Sequence, residues 1–229
     1  ETLTFVPARE QATAGRQELK TTVTVHSGAD TLTDTMAKSV RVVDQKMKVL
    51  VVDSTPRWDF KFLQRALLRD RRVEASFFLF DGDPRAMKSG PPFLSAFPAT
   101  RSELFQYDLL VLGDVNATSF GREQQEMIRD FVAEGGGFLQ IAGRNRGPAS
   151  FVGTLLADVL PVEIDPVKYA IDAGTRPLPF RPELTPAGLR SPILSLEDDP
   201  VENLRAWPSL PEIYWHYPVK KLKPAAETF

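Results

Sequence analysis

Lys48-Val49-Leu50-Val51-Val52-Asp53, followed by Ser54-Thr55-Pro56, is the stretch that decides the fold. A run apolar on both faces reads as a central parallel strand, because only a strand covered on both sides buries all its residues. It ends at a carboxylate, and Thr55 as N-cap with Pro56 at the first helical position predicts an immediate turn into a helix. In that helix Phe60, Leu63, Ala66 and Leu67 share one stripe, with Lys61, Arg65 and Arg69 off it. Outward from here the pattern repeats. A second strand is predicted from Val73 to Phe80, and a long loop over 81–100 is marked by Gly82, Pro84, Gly90, Pro91, Pro92 and Pro98. A short helix from Ser102 to Phe105 leads to a third strand, Leu109 to Leu112, ending at Gly113-Asp114. Helix Arg122 to Ala133 stops at Gly135-Gly136-Gly137, a fourth strand runs from Phe138 to Ala142, and a last helix spans Phe151 to Val159. Strand and helix alternating at this spacing predict βαβ units, hence an α/β fold with a parallel sheet covered on both faces.

The flanks read differently. Residues 1–46 alternate with a period of two, in Leu3 and Phe5, then Leu19, Thr21, Val23 and Val25, then Val40 and Val42. The breaks at Gly15 and at Ser27-Gly28-Ala29-Asp30 predict three strands of a small antiparallel sheet with one wet face. A full immunoglobulin-like sandwich takes about seven strands, so this segment, a first domain over 1–46, is expected to be the end of one, or a ribbon that leans on something else. Its single apolar face buries too little to stand alone, so it is expected either to pack on the α/β domain or, the favoured remedy, to pair with the same segment of a second molecule, a homodimer through residues 1–46. The remainder, 47–229, is expected to be the α/β domain with a proline-rich C-terminal part. There Phe180 to Leu184 and Ile213 to Trp215 are candidate edge strands, and Ile193, Leu194, Leu196, Leu204, Trp207, Leu210 and Trp215 are available to pack on the sheet.

Composition narrows function. The 229 residues carry 28 Lys+Arg against 30 Asp+Glu, for a net charge of −2, so no basic footprint for nucleic acid exists. With no cysteine there is no thiolate nucleophile, disulfide or Cys-ligated metal, and the two histidines, His26 and His216, do not suggest a His-rich metal site. The apolar runs are strand-sized, far short of the ~18–20 residues of a membrane span. The chain opens in mid-pattern at Glu1 with no signal peptide, and it is expected to be a piece of something longer.

In open parallel sheets a ligand sits beyond the carboxyl ends of the strands. Those ends offer Asp53, Arg57 and Trp58, then Asp81 and Asp83, then Asp114 and Asn116, then Arg144, Asn145 and Arg146. The candidate ligand-binding set is Asp53, Arg57, Trp58, Asp114, Asn116, Arg144 and Asn145. Asp53, Asp114 and Arg144 together suit an anionic or magnesium-bound ligand, while the competing reading makes them solvated turn residues and helix caps. The loop Gly143 to Gly147 invites a phosphate-loop reading, but it lacks GxxxxGK[ST] and GxGxxG spacing. Trp58 and Phe62 outline a second, partly apolar helix face. Trp58 is expected to pack under the 81–100 loop, its truncation costing ~3 kcal/mol or more. No GxSxG elbow exists, and no catalytic residue, metal or cofactor is assigned.

The run Lys48 to Leu63, with Tyr107 to Val115, Phe131 to Phe138 and Gly153 to Val162, resembles the glutamine amidotransferase-like domains of large bacterial membrane-associated proteins. Leu184-Thr185-Pro186-Ala187-Gly188 and Trp207 to Pro211 are similar to that family too, so the likeness spans about residues 46–225. It implies a flavodoxin-like, doubly wound, mostly parallel sheet, Rossmann-like in kind. Active class I members use a cysteine on a sharp turn with His and Glu partners. The corresponding turn, Ala142-Gly143-Arg144-Asn145, has no cysteine, and His216 is followed by Tyr217-Pro218 and not by a glutamate two residues on. The resemblance therefore implies a pseudoenzyme: a non-catalytic interaction or ligand-binding module, its partner an unknown protein or small ligand, in a parent anchored in a bacterial envelope. The alternative is a hydrolase or transferase working through Asp53 and Asp114, with or without a metal.

Overall fold

The apolar run that opens the α/β region forms β3 (Met47–Asp53), and its residues Val49 to Val52 are almost wholly buried. The computed structural model describes residues 15–27, 30–42, 46–85, 90–166 and 178–229. The chain divides into two compact units, Glu1–Lys46 and Met47–Phe229.

In the first unit β1 (Gly15–Ser27) and β2 (Asp30–Val42) pair antiparallel, Gly15 opposite Val42 and Ser27 opposite Asp30. Val40 and Val42, read from sequence as a third strand, belong to β2. Gly15 is the first residue of β1. The strand expected at Leu3 and Phe5 lies outside the described residues.

In the second unit β3 lies inside a four-stranded, all-parallel sheet of order β4-β3-β5-β6, with β4 (Val73–Leu79), β5 (Leu109–Leu112) and β6 (Gly137–Gln140). Val49 sits opposite Ala75 on one side and Leu109 on the other. The chain steps one way from β3 to β4, then crosses back over β3 to β5 and on to β6. With crossovers of one hand, the intervening helices fall on opposite faces. This is the flavodoxin-like, doubly wound α/β fold. α1 (Trp58–Arg69) turns Phe60 onto Phe77, ring centroids 5.7 Å apart and nearly perpendicular. Phe78, pointing to the opposite face, joins Phe80, Phe97 and Phe120 in a chain of aromatic contacts at 4.9–6.5 Å. α2 (Arg101–Leu104) is closed by a capping box between Thr100 and Glu103, and α3 (Arg122–Ala133) buries Ile128 and Phe131. Part of the 81–100 loop runs beside β4. The Phe77 N–H donates to the Pro92 carbonyl at 2.9 Å and the Leu94 N–H to the Phe77 carbonyl at 2.8 Å, covering the sheet edge.

Several local expectations are corrected. α1 begins at Trp58, not Pro56, because residues 54–57 close around the Asp53 carboxylate first. Ala66, expected on the inner stripe, is exposed. The helix expected over 151–159 is two separate 3₁₀ turns, Ala149–Phe151 and Leu155–Ala157, divided by Gly153 at φ +77°, where a right-handed helix cannot continue. The proline-rich part holds an unforeseen helix, α4 (Pro200–Ser209), started by Asp199 accepting from the Val201 and Glu202 amides and by Pro200 in the first turn. The two candidate edge strands reduce to one antiparallel bridge, Phe180 to Ile213, while β7 (Val162–Ile164) and β8 (Val219–Leu222) form a small antiparallel pair. Ile193, Leu196 and Leu204 do not pack on the sheet: they are exposed, and no described hydrophobic residue beyond Ile164 joins the core.

Candidate functional site

β3 and β5 are neighbours, and the strand order reverses between them, so Asp53 and Asp114 stand side by side at the switch point where such sheets bind ligands. Both carboxylates are buried. Asp53 Oδ1 accepts the Ser54 N–H at 2.7 Å and the Asp114 N–H at 3.2 Å. Its Oδ2 takes the Arg57 guanidinium, from Nη2 at 2.9 Å and Nε at 3.2 Å. Arg57 also reaches Asp59 at 3.1 Å. Burial pushes the Asp53 carboxyl above its ordinary value, against the pull of Arg57 and of the Ser54 amide, and the Asp114 charge pushes the same way as burial.

Asp114 is enclosed differently. Its Oδ1 accepts the backbone N–H groups of Arg146 at 2.7 Å and Gly147 at 2.9 Å, and its Oδ2 that of Asn145 at 3.1 Å. Successive amides aimed at one anion make the kind of concavity that holds phosphate in other proteins. Here the anion is the chain's own carboxylate. The Gly143 N–H donates to the Gly147 carbonyl at 3.0 Å, closing the loop, and the Ser54 hydroxyl ties the two strand ends together by donating to the Asp114 carbonyl at 2.6 Å. Glycine is required at two positions by close approach. A Cβ on Gly113 would collide with the Asp53 carboxylate, and one on Gly143 with the Asp114 side chain.

The structure thus brings together Asp53, Arg57, Asp114 and the backbone of 145–147, and disperses the other candidates. Trp58 points outward and is 73% exposed, contrary to the expectation that it packs under the 81–100 loop. The Asn116 side chain caps the turn Ala117–Ser119, accepting from the Thr118 N–H at 3.0 Å. The Arg144 guanidinium lies 5.2 Å from the Trp215 ring centroid, not at the two carboxylates. Arg146 pairs with Asp81 at 2.7 Å, and Asp83 accepts the Arg85 N–H in a turn. His216 stands edge-on to Phe180, centroids 5.2 Å apart. Ser54 and Gln140 were not singled out from the sequence. Gln140 donates to the Gly113 carbonyl at 2.9 Å, while its Oε1 is buried with no hydrogen-bond partner. Only the position of Gln140 at a strand's carboxyl end could have drawn attention to it.

Among the described residues no group of three or more His, Asp or Glu side chains is placed to hold a metal ion. An open depression of about 390 Å³, lined by Arg122, Gln125, Gly153, Thr154 and Leu155, includes neither carboxylate. No helix among the described residues is long and apolar enough to cross a membrane.

No model of a known protein family matches the chain, and no curated protein does. Among solved structures, a cytoplasmic protein from Salmonella typhimurium aligns with 65% of this chain and 55% of its own, at 20% identity and a TM-score of 0.33.

Proposed function

We propose that residues 47–229 are a non-catalytic, glutamine amidotransferase-like domain serving as an interaction module of a larger bacterial envelope protein. One observation carries the reading: the Asp114 carboxylate fills the concavity of amides at the switch point, so the place where a nucleotide, phosphate or metal-bound substrate would bind is occupied from within. The turn that would bear a nucleophilic cysteine belongs to the same loop and carries Arg144 and Asn145. Asp53 is likewise engaged by two amides and a guanidinium, which leaves the acid-based hydrolase alternative no open carboxylate. In the same reading the N-terminal hairpin is the end of an immunoglobulin-like segment of that parent.

The test is an assay of the whole chain with glutamine, and calorimetric titration with magnesium and with phosphate. Ammonia release at the buffer rate and no heat of binding are the expected results. Turnover abolished by Asp53→Asn or Asp114→Asn would overturn the proposal.

A further inference from the structure

We propose that the outward face of α1 docks on the α4 surface of a second copy of this chain. The inference goes beyond the reading above and stands apart from it, since self-association is indifferent to whether the strand ends are catalytic.

The first surface is aromatic and basic. Trp58 and Phe62, 73% and 63% exposed, stand four residues apart with ring centroids 6.2 Å from one another, and the Lys61 ammonium lies 5.1 Å from the Trp58 ring. Arg65 and Arg69 continue the same stripe by helical spacing. Residues 58–72 hold five cations and two acids, and both acids are engaged: Asp59 by Arg57 and Asp70 by Arg72. The face presents exposed rings set among positive charge.

The second surface is aliphatic and acidic. The Asn203 carboxamide accepts the Leu196 N–H at 2.8 Å, and the Trp207 indole donates to the Leu194 carbonyl at 3.0 Å. These bonds hold residues 192–197 alongside α4. Ile193 is thereby fixed 82% exposed, with Leu196, Val201 and Leu204 about half exposed around it. Residues 191–210 hold four acids, Glu197, Asp198, Asp199 and Glu202, against one cation, Arg205, which is paired with Glu202 at 2.7 Å.

Exposed apolar side chains at this density mark an interface, and the opposite charges choose its occupant. An anionic bilayer would satisfy α1 but leave the aliphatic, acidic surface of α4 bare. A second copy covers both, because every molecule carries both halves. The contact joins unlike surfaces, so it propagates into chains unless the rotation closes a ring.

Sedimentation velocity of the full chain in low and high salt tests this, with two charge-reversal pairs at exposed positions, Lys61→Glu/Arg65→Glu and Glu197→Lys/Asp198→Lys. The wild type is expected to associate at micromolar concentration in low salt and to dissociate in high salt. Each variant alone should be monomeric, its dissociation constant raised about a hundredfold by like charges meeting. An equimolar mixture of the two should restore association, because the basic α1 of one then meets the acidic α4 of the other, and the acidic α1 meets the basic α4. Melting curves for both variants that match the wild type in high salt, where all are monomers, are the control for folding. Should either fail it, Phe62→Ser and Ile193→Ser replace them, with monomer again the expected state. A monomeric wild type overturns the proposal. So does association that the variants leave unchanged, as pairing through the N-terminal hairpin would. A wild type that stays monomeric yet binds phosphatidylserine vesicles through Lys61 and Arg65 overturns it in favour of a membrane surface.

Discussion

Val49 to Val52 are nearly inaccessible to water, whereas Ile193 is 82% exposed, and the contrast extends to the segments that contain them. Residues 47–164 hold the whole described core. Residues 178–229 add nothing to it and contribute eleven of the seventeen large exposed hydrophobic residues among those described. Apolar content alone therefore does not make a core. The first segment repeats its apolar residues with the period of strands and helices, so they converge on one interior. In the second, prolines recur every few residues, deny the backbone regular hydrogen bonding, and hold side chains at angles that never converge.

The comparison breaks most directly in the core. Phe77 is fully buried against Phe60 and Phe93. Phe77→Ala should cost about 3–5 kcal/mol, while Leu204→Ala on α4 should stay within ~0.5 kcal/mol. At roughly 2–4 °C per kcal/mol for a chain of this size, thermal melting separates the two. Comparable losses would mean that the C-terminal part packs on the sheet after all.

Asp114→Ala tests the closed site. It strands three amides that now share one carboxylate, and a loss of about 3 kcal/mol is expected, since each buried unsatisfied donor costs ~1–3 kcal/mol and water reaches some of them. The emptied concavity should then accept a free anion. Sulfate or phosphate should raise the melting temperature of the variant more than that of the wild type. Equal effects on both would show that the loop does not hold its shape without Asp114.

The legibility of the chain follows the same division. β3, β5 and α3 were readable to the residue or nearly so, because periodicity and turn chemistry agree there. The four strand ends correctly placed Asp53 and Asp114, yet their partners were hidden: backbone amides carry no signature in sequence, so a carboxylate that closes a loop looks like one that awaits a ligand. α4 had a visible signal in Asp199-Pro200, masked by the density of prolines around it. Trp58 was misplaced because α1 has two apolar stripes, and periodicity cannot say which one faces the sheet.

Asp53 offers a finer probe. Its folded-state carboxyl is raised by burial above its unfolded value, so its contribution to stability is fully present below the unfolded value and is lost as pH rises through the folded one. Asp53→Asn removes that titration. The stability difference between wild type and variant should therefore shift in favour of the wild type as pH falls from neutral toward ~4, the ordinary Asp range. Urea unfolding across that window measures it, and the opposite slope would mean that Arg57 outweighs burial.

The smallest expected effect is the most informative about surfaces. Truncation of a packed Trp58 would cost ~3 kcal/mol or more, but a side chain 73% exposed, touching Phe62 and Lys61 on its own helix, has little burial to lose. Trp58→Ala should change the stability of the monomer by no more than ~0.5 kcal/mol, or about 1–2 °C in melting temperature. If the indole instead meets a second copy, the loss must depend on protein concentration, because association stabilises the folded state by mass action and an internal contact does not. Melting curves at two concentrations a hundredfold apart separate these cases. A constant difference near zero marks Trp58 as solvent-facing, and a constant large difference returns it to the core. A difference that grows with concentration assigns the ring to the contact between copies.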